Sequence, residues 1–255
     1  MKRQIIFPHI HRTSGSSFSE VLLKPNISQE DRIRISGPSL SAIKRASFDR
    51  DTRSKRLIYG HVPHGLHRFL PKETSYITFL RDPIDRAISW YYWIKSLERT
   101  DLFRRHPLRN YADSVSIKEF YANRRHSNMQ TRFLAGIFLG GLYPYIDSNT
   151  FDDFILSTAK RHLAQYTCFG LQGRFEESIS LFKRTFGWTE QKQSLPRRTT
   201  SDRPSVDDLR EIGGGVLEEL RAHHQLDLEL HEYAQELFEE RLEQTSSQRS
   251  TVAPD

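Results

Sequence analysis

Two short stretches of this 255-residue chain combine residue types that bind anions. The first is His9-Ile10-His11-Arg12-Thr13-Ser14-Gly15-Ser16-Ser17. Its small residues let backbone N–H groups approach phosphate oxygens, the hydroxyls of Thr13, Ser14, Ser16 and Ser17 add donors, and Arg12 supplies a fixed positive charge. A helix starting after such a turn favours anions at its N-terminus. It is not a Walker A loop, because G-x-x-x-x-G-K-S/T is absent. The second stretch is Arg81-Asp82-Pro83-Ile84-Asp85-Arg86-Ala87-Ile88-Ser89, with Arg81 at a strand end and Ser89 about two helical turns later. Arg81 at that place either reaches a ligand or pairs with a nearby carboxylate. Three histidines, His61, His64 and His67, form H-x-x-H-x-x-H. Pro63 and Gly65 spoil helical spacing and no nearby carboxylate or cysteine completes a ligand set, so no metal is expected there.

The elements that must position these residues are legible around them. Gln4–Pro8 is a short apolar run and residues 17–23 read as a helix, which places the first turn between strand and helix. Residues 57–59 and 75–80 read as strands. From Pro83, the residues Ile84, Ala87, Ile88, Tyr91 and Tyr92 follow the helical period, with Asp82 as N-cap and Pro83 at N1. Further helices are expected at 116–121, 128–134, 150–163 and 176–186, and a buried strand at 167–171. Leu226, Leu230, Tyr233, Ala234, Leu237 and Phe238 form a packing stripe on a last helix to about 242, with Ser205 capping a helix before it. Residues 25–56 read as a loop with a short helix at 40–44, and 191–204 as a basic loop. The alternation predicts an α/β domain on a mostly parallel sheet with extra C-terminal helices, one domain over 1–244, and a disordered polar tail over 245–255.

Taken together, the two turns resemble the sulfotransferases that use 3'-phosphoadenosine-5'-phosphosulfate (PAPS), in the branch of heparan sulfate 2-O-sulfotransferase and bacterial carbohydrate sulfotransferases. In that family H-I-P-K-T-G-G-T-S-F binds the 5'-phosphosulfate; here the text is His9-Ile10-His11-Arg12-Thr13-Ser14-Gly15-Ser16-Ser17-Phe18. The family's 3'-phosphate element, R-D-P-x-x-R-x-x-S, is matched by Arg81, Asp82, Pro83, Arg86 and Ser89. Gly60-His61, the run from Asn128 to Gly136, Phe169-Gly170-Leu171 and the last helix continue the likeness in order.

The resemblance implies a P-loop-like three-layer fold, PAPS as co-substrate, no metal, and an acceptor hydroxyl of a carbohydrate, with no nucleic-acid partner. It implies His61 as the base, Arg12 and the turn 12–17 on the phosphosulfate, and Arg81 and Ser89 on the 3'-phosphate. Arg203 would cover the nucleotide from its loop, and His64, His67 and Arg132 are candidate acceptor contacts, Arg132 alternatively reaching the donor. Three positions depart from the family turn: His11 for Pro, Arg12 for Lys and Ser14 for Gly. Arg12 keeps the charge but gives up no proton near neutrality.

Composition sets the outer limits. The formal charge of +6 favours an anionic partner, without choosing among nucleotides, sulfated sugars, nucleic acid and membrane. The lone Cys168, in an apolar run, reads as a buried structural thiol, and excludes an internal disulfide framework. With no signal-like start and no apolar run of transmembrane length, the expectation is a cytoplasmic enzyme. The rival readings are a kinase-like phosphotransferase, lacking its Walker lysine, and a non-catalytic nucleotide binder.

Overall fold

The computed structural model describes residues 3–35, 49–71, 73–97, 108–191, 204–208 and 215–250. Five strands form its sheet: β1 (Gln4–Pro8), β2 (Arg32–Ile35), β3 (Leu57–Gly60), β4 (Thr74–Leu80) and β5 (Cys168–Leu171). Their order is β2-β3-β1-β4-β5 and every pairing is parallel. β1 and β5 are buried along their whole length, as strands covered on both faces must be. The neighbours of β1 are reached in opposite directions, so the carboxyl ends of β1, β3 and β4 open on a topological switch point.

Helix α1 follows β1 in three pieces: Gly15–Phe18, a π-helical turn Ser19–Leu23, and Lys24–Asn26. Phe18, Val21, Leu22 and Leu23 are its buried face. Helix α2 (Arg50–Ser54) is capped by Asp49, whose carboxylate accepts from Thr52 N at 2.9 Å. Helix α3 (Pro83–Ser96) starts as its sequence requires: the Asp82 side chain accepts from Asp85 N at 2.7 Å, and Pro83 occupies the first turn. Ile84, Ala87, Ile88, Tyr91 and Ile94 bury its apolar stripe.

The remaining helices are α4 (Arg109–Ser114), α5 (Ile117–Ala122), α6 (Met129–Ala135), α7 (Ile137–Leu142), α8 (Asn149–Gln165), α9 (Phe175–Phe186), α10 (Val216–His223) and α11 (Gln225–Ser250). One apolar core surrounds the sheet and takes in side chains of α1, α6, α8, α9 and α11; a second lies among α3, α4, α5 and α10. No helix among the described residues is long and apolar enough to cross a membrane.

The α/β expectation therefore holds, with two local corrections. The segment 25–56 contains β2 and α2 rather than one irregular loop; its 40–44 portion lies outside the described residues. β2 is the edge strand Arg-Ile-Arg-Ile, whose charged alternate positions disguise it. Helix α11 also continues past Thr245 to Ser250, where a polar tail was expected. Its Glu, Gln, Arg and Leu residues are good helix formers, and Thr245 Oγ1 bonds back to the Arg241 carbonyl at 2.8 Å.

Candidate active site

The turn after β1 is shaped by two residues in the left-handed region, Arg12 and Ser14, both at φ 66°. Non-glycine residues pay conformational energy there. Thr13, between them, is buried and donates its hydroxyl to the Ile10 carbonyl at 2.9 Å, closing the turn internally. The first helical bond runs from Phe18 N to Ser14 O at 3.0 Å. The amides of Gly15, Ser16 and Ser17 thus stand in the first helical turn, where the helix itself provides no acceptor. A side chain at Gly15 would have to displace a ring, since a Cβ would lie 2.2 Å from Cδ2 of His9.

The turn after β4 meets this one directly. Arg12 Nε donates to Ser89 Oγ at 2.9 Å, and Arg81 Nη1 donates to the Arg12 carbonyl at 3.0 Å. Thr78 Oγ1 donates to the Pro8 carbonyl at 2.8 Å, tying the two strand ends together beneath them. Arg81 also forms an ion pair with Asp85, one turn along α3, with Nε donating at 2.7 Å. The carboxylate-pairing alternative for Arg81 is thus realised in this structure. Its backbone is held from a third element: Arg81 N donates to Gln130 Oε1 and Gln130 Nε2 donates to Arg81 O, each at 2.9 Å. Gln130 and Thr131 are in turn fixed by the buried Asp227 of α11, which accepts from Thr131 N at 2.7 Å.

His61 enters from the end of β3. Gly60, at φ 137°, makes the turn possible, since a Cβ there would sit 2.1 Å from the Ile35 carbonyl oxygen. Its own carbonyl accepts from His9 N and Val62 N, both at 2.8 Å. His61 Nδ1 lies 2.7 Å from the His9 carbonyl. A carbonyl only accepts, so Nδ1 carries the proton and Nε2 keeps its lone pair. Burial lowers the His61 pKa, the His9 carbonyl raises it and Arg34 lowers it, for a net downward shift. His9 itself is pulled down to about 3 by burial, then by His61 and Arg34. The His11 ring is stacked on His61, centroids 3.6 Å apart. The arrangement sets a turn whose first-turn amides have no helical acceptor beside an imidazole whose Nε2 keeps its lone pair.

No protein-family model matches the chain. Among curated proteins it is similar to heparan-sulfate 6-O-sulfotransferase 3 of Mus musculus, 26% identical with 94% of this chain and 58% of that protein aligned. The Homo sapiens protein of the same name is 25% identical over the same shares. Heparan-sulfate 6-O-sulfotransferase 1 of Cricetulus griseus is 25% identical, covering 93% of this chain and 67% of its own. The chain is a homologue of carbohydrate sulfotransferases. It spans 58% of the length of the mouse and human relatives. These relatives carry the 6-O name, so the kinship is to carbohydrate sulfotransferases at large and not to the 2-O branch in particular.

The expectation of a cytoplasmic protein is overturned by this kinship, because the heparan-sulfate 6-O-sulfotransferases are Golgi-resident enzymes. Several expected site residues of this sulfotransferase homologue also make contacts within the fold. Arg132 donates to the carbonyls of Gly140 at 3.1 Å and Arg125 at 2.6 Å, bracing the α6–α7 junction. His64 is buried, its ring stacked on His162 at 3.8 Å and on Tyr76 at 4.5 Å, and burial lowers its pKa to about 2. His67 Nδ1 is 3.0 Å from Tyr76 Oη, on the same aromatic cluster. Arg86, though part of the second motif, is fully buried in the second core within electrostatic reach of Tyr121 and His224. Ser16 is exposed at the turn and Ser17 half-buried. Arg203 lies outside the described residues. Among the described residues no group of three or more His, Cys, Asp or Glu could hold a metal ion. Cys168 is buried, and burial raises its thiol pKa to about 12, which removes it as a nucleophile.

Three features went unnamed in the sequence reading: the Gln130 clamp on Arg81, Asp85 as the carboxylate that pairs with it, and the His11–His61 stack. Of these the i, i+4 spacing of Arg81 and Asp85 was a usable signal. The other two are contacts between separate elements.

Proposed function

We propose that the chain transfers a sulfuryl group from PAPS to a hydroxyl of a carbohydrate acceptor, releasing adenosine 3',5'-bisphosphate, within one domain over residues 1–244. The observation that carries this reading is the 2.9 Å bond from Arg12 to Ser89, which joins the two anion-binding turns into one site at the switch point. The kinship to enzymes named for heparan-sulfate sulfation supports the same reaction and acceptor class.

In this reading the amides of Gly15, Ser16 and Ser17, with Arg12, hold the 5'-phosphosulfate. Thr13 and Ser14 set the turn that presents those amides. Arg81 and Ser89 hold the 3'-phosphate, which competes with Asp85 for the Arg81 guanidinium, and Arg203 covers the nucleotide. The acceptor oxygen forms its bond to sulfur as the bond from sulfur to the bridging phosphate oxygen breaks. The electron pair stays on the phosphate, and the acceptor proton passes to Nε2 of His61. Arg12 and the amides meet the charge growing on the phosphate, which is electrostatic stabilisation aimed at the transition state. Arginine performs this without giving up a proton, so the leaving oxygen departs as an anion held by charge.

The test is transfer of radiolabelled sulfate from PAPS to a panel of heparan-sulfate and other oligosaccharides. His61→Ala is expected to abolish transfer while adenosine 3',5'-bisphosphate still raises thermal stability as in the parent. Full turnover in His61→Ala removes the base assignment. Transfer to none of the acceptors, with the bisphosphate still bound, favours the non-catalytic reading.

A further inference from the structure

We propose that His11 is the positioning residue of the base, its imidazole lying flat on the ring of His61 and fixing the direction in which Nε2 faces the acceptor. The proposal rests on the reading of His61 as the base. The bond from His61 Nδ1 to the His9 carbonyl holds one edge of the ring but leaves it able to swing about that bond. The stack removes this freedom: the His11 and His61 centroids are 3.6 Å apart with 13° between planes. His11 is itself held from the far side, by Trp90 edge-on at 4.7 Å and by Phe133 at 6.3 Å. The series His61, His11, Trp90 therefore runs from the end of β3 through the turn after β1 to α3. The turn that binds the donor thus also orients the base. The family turn has proline at this place, which cannot make such a stack.

The contact couples the charges of the two rings. Two imidazolium rings face to face would repel, so a proton on His11 opposes a proton on His61. The charged or titratable groups near His61 include His9, 5.1 Å away between centroids, and Arg34. Neither offers a negative charge to relieve the repulsion.

The experiment compares the parent chain with His11→Phe and His11→Ala by nitrogen-15 NMR of the histidine side chains across a pH series. Kinetics are followed with PAPS and a heparan-sulfate oligosaccharide. Binding of adenosine 3',5'-bisphosphate reports folding. His11→Phe keeps the stack and removes the charge: His61 is expected to stay protonated at Nδ1, with its pKa raised by about half a pH unit. His11→Ala is expected to give a tautomer mixture at His61 and a kcat about tenfold lower at little-changed KM, with His11→Phe restoring most of it. Should His11→Ala fail to bind the bisphosphate, the NMR shift in His11→Phe decides alone. An unchanged tautomer and pKa at His61 in the folded variants overturns the proposal. Turnover surviving in His61→Ala would instead sink the base assignment, with the NMR result still deciding whether His11 orients that ring.

Discussion

The side chain of Arg12 donates to Ser89 across 77 residues of sequence, at 2.9 Å, and it does so from a backbone in the left-handed region. The same residue's carbonyl accepts from Arg81. One residue therefore couples the two turns through both its side chain and its main chain. A lysine at this place keeps the charge but carries its one nitrogen a bond farther out than Nε and lacks the planar, multi-nitrogen donor set that makes this bond.

Arg12→Lys is accordingly expected to weaken binding of adenosine 3',5'-bisphosphate about tenfold, the worth of one charge-assisted hydrogen bond of about 1.5 kcal/mol. Ser89→Ala should cost a similar amount, and the double variant less than the sum, because either change already breaks the shared bond. Calorimetric titration of the four proteins measures this. Full additivity would mean that the Arg12–Ser89 contact does not contribute to the site.

Ser14 occupies the left-handed region where the family turn has glycine. Ser14→Gly removes a penalty of about 1–2 kcal/mol and adds back part of it as unfolded-chain entropy. The expected net is a stabilisation of about 0.5–1 kcal/mol, seen as a Tm rise of roughly 1–4 °C. A fall in Tm would show that the serine hydroxyl contributes more to the turn than its backbone costs.

Gly15 and Gly60 are required for different reasons. A Cβ on Gly15 strikes the ring of His9, 2.5 Å from Nε2. Gly15→Ala is expected to displace that ring and destabilise the fold by about 1–3 kcal/mol, reducing bisphosphate affinity with it. A Cβ on Gly60 strikes main chain, the Ile35 carbonyl at 2.1 Å, on a residue at φ 137°. Gly60→Ala should therefore be the worse of the two, since backbone yields less readily than a side chain. Chemical denaturation ranks them, and the reverse order contradicts the geometry.

The parts of the fold that local sequence dictates were the parts it revealed. β1 is apolar after Gln4 and α3 carries its own cap, proline and stripe, so both were readable without any tertiary information. β2 was not, because an edge strand with Arg32 and Arg34 at alternate positions has the composition of a loop. The two turns were legible, but the bond from Arg12 to Ser89, Gln130 on Arg81 and Asp227 on α6 depend on how separate elements dock against one another. His64 and His67 share a segment with His61, yet Tyr76 of β4 draws them into an aromatic cluster. Spacing along the chain does not report such a choice between neighbours.

That cluster gives the last prediction its sign. Burial is the largest cause in each case, and it lowers the pKa of His9 to about 3, His64 to about 2, His126 to about 4 and His224 to about 3. Below the unfolded value near 6.5 the unfolded chain binds protons that the folded chain does not, so stability rises with pH in this window and falls as the solution is acidified. Each group contributes a slope of at most about 1.4 kcal/mol per pH unit, until its own folded pKa is reached. Denaturation midpoints should therefore drop steadily from pH 7 to pH 4. His64→Phe keeps a ring against Tyr76 and His162 and removes one titrating group, so its acid limb should be measurably flatter than the parent's. An equal slope in both would mean that His64 takes its proton in the folded protein as readily as in the unfolded chain, against the downward shift its burial causes.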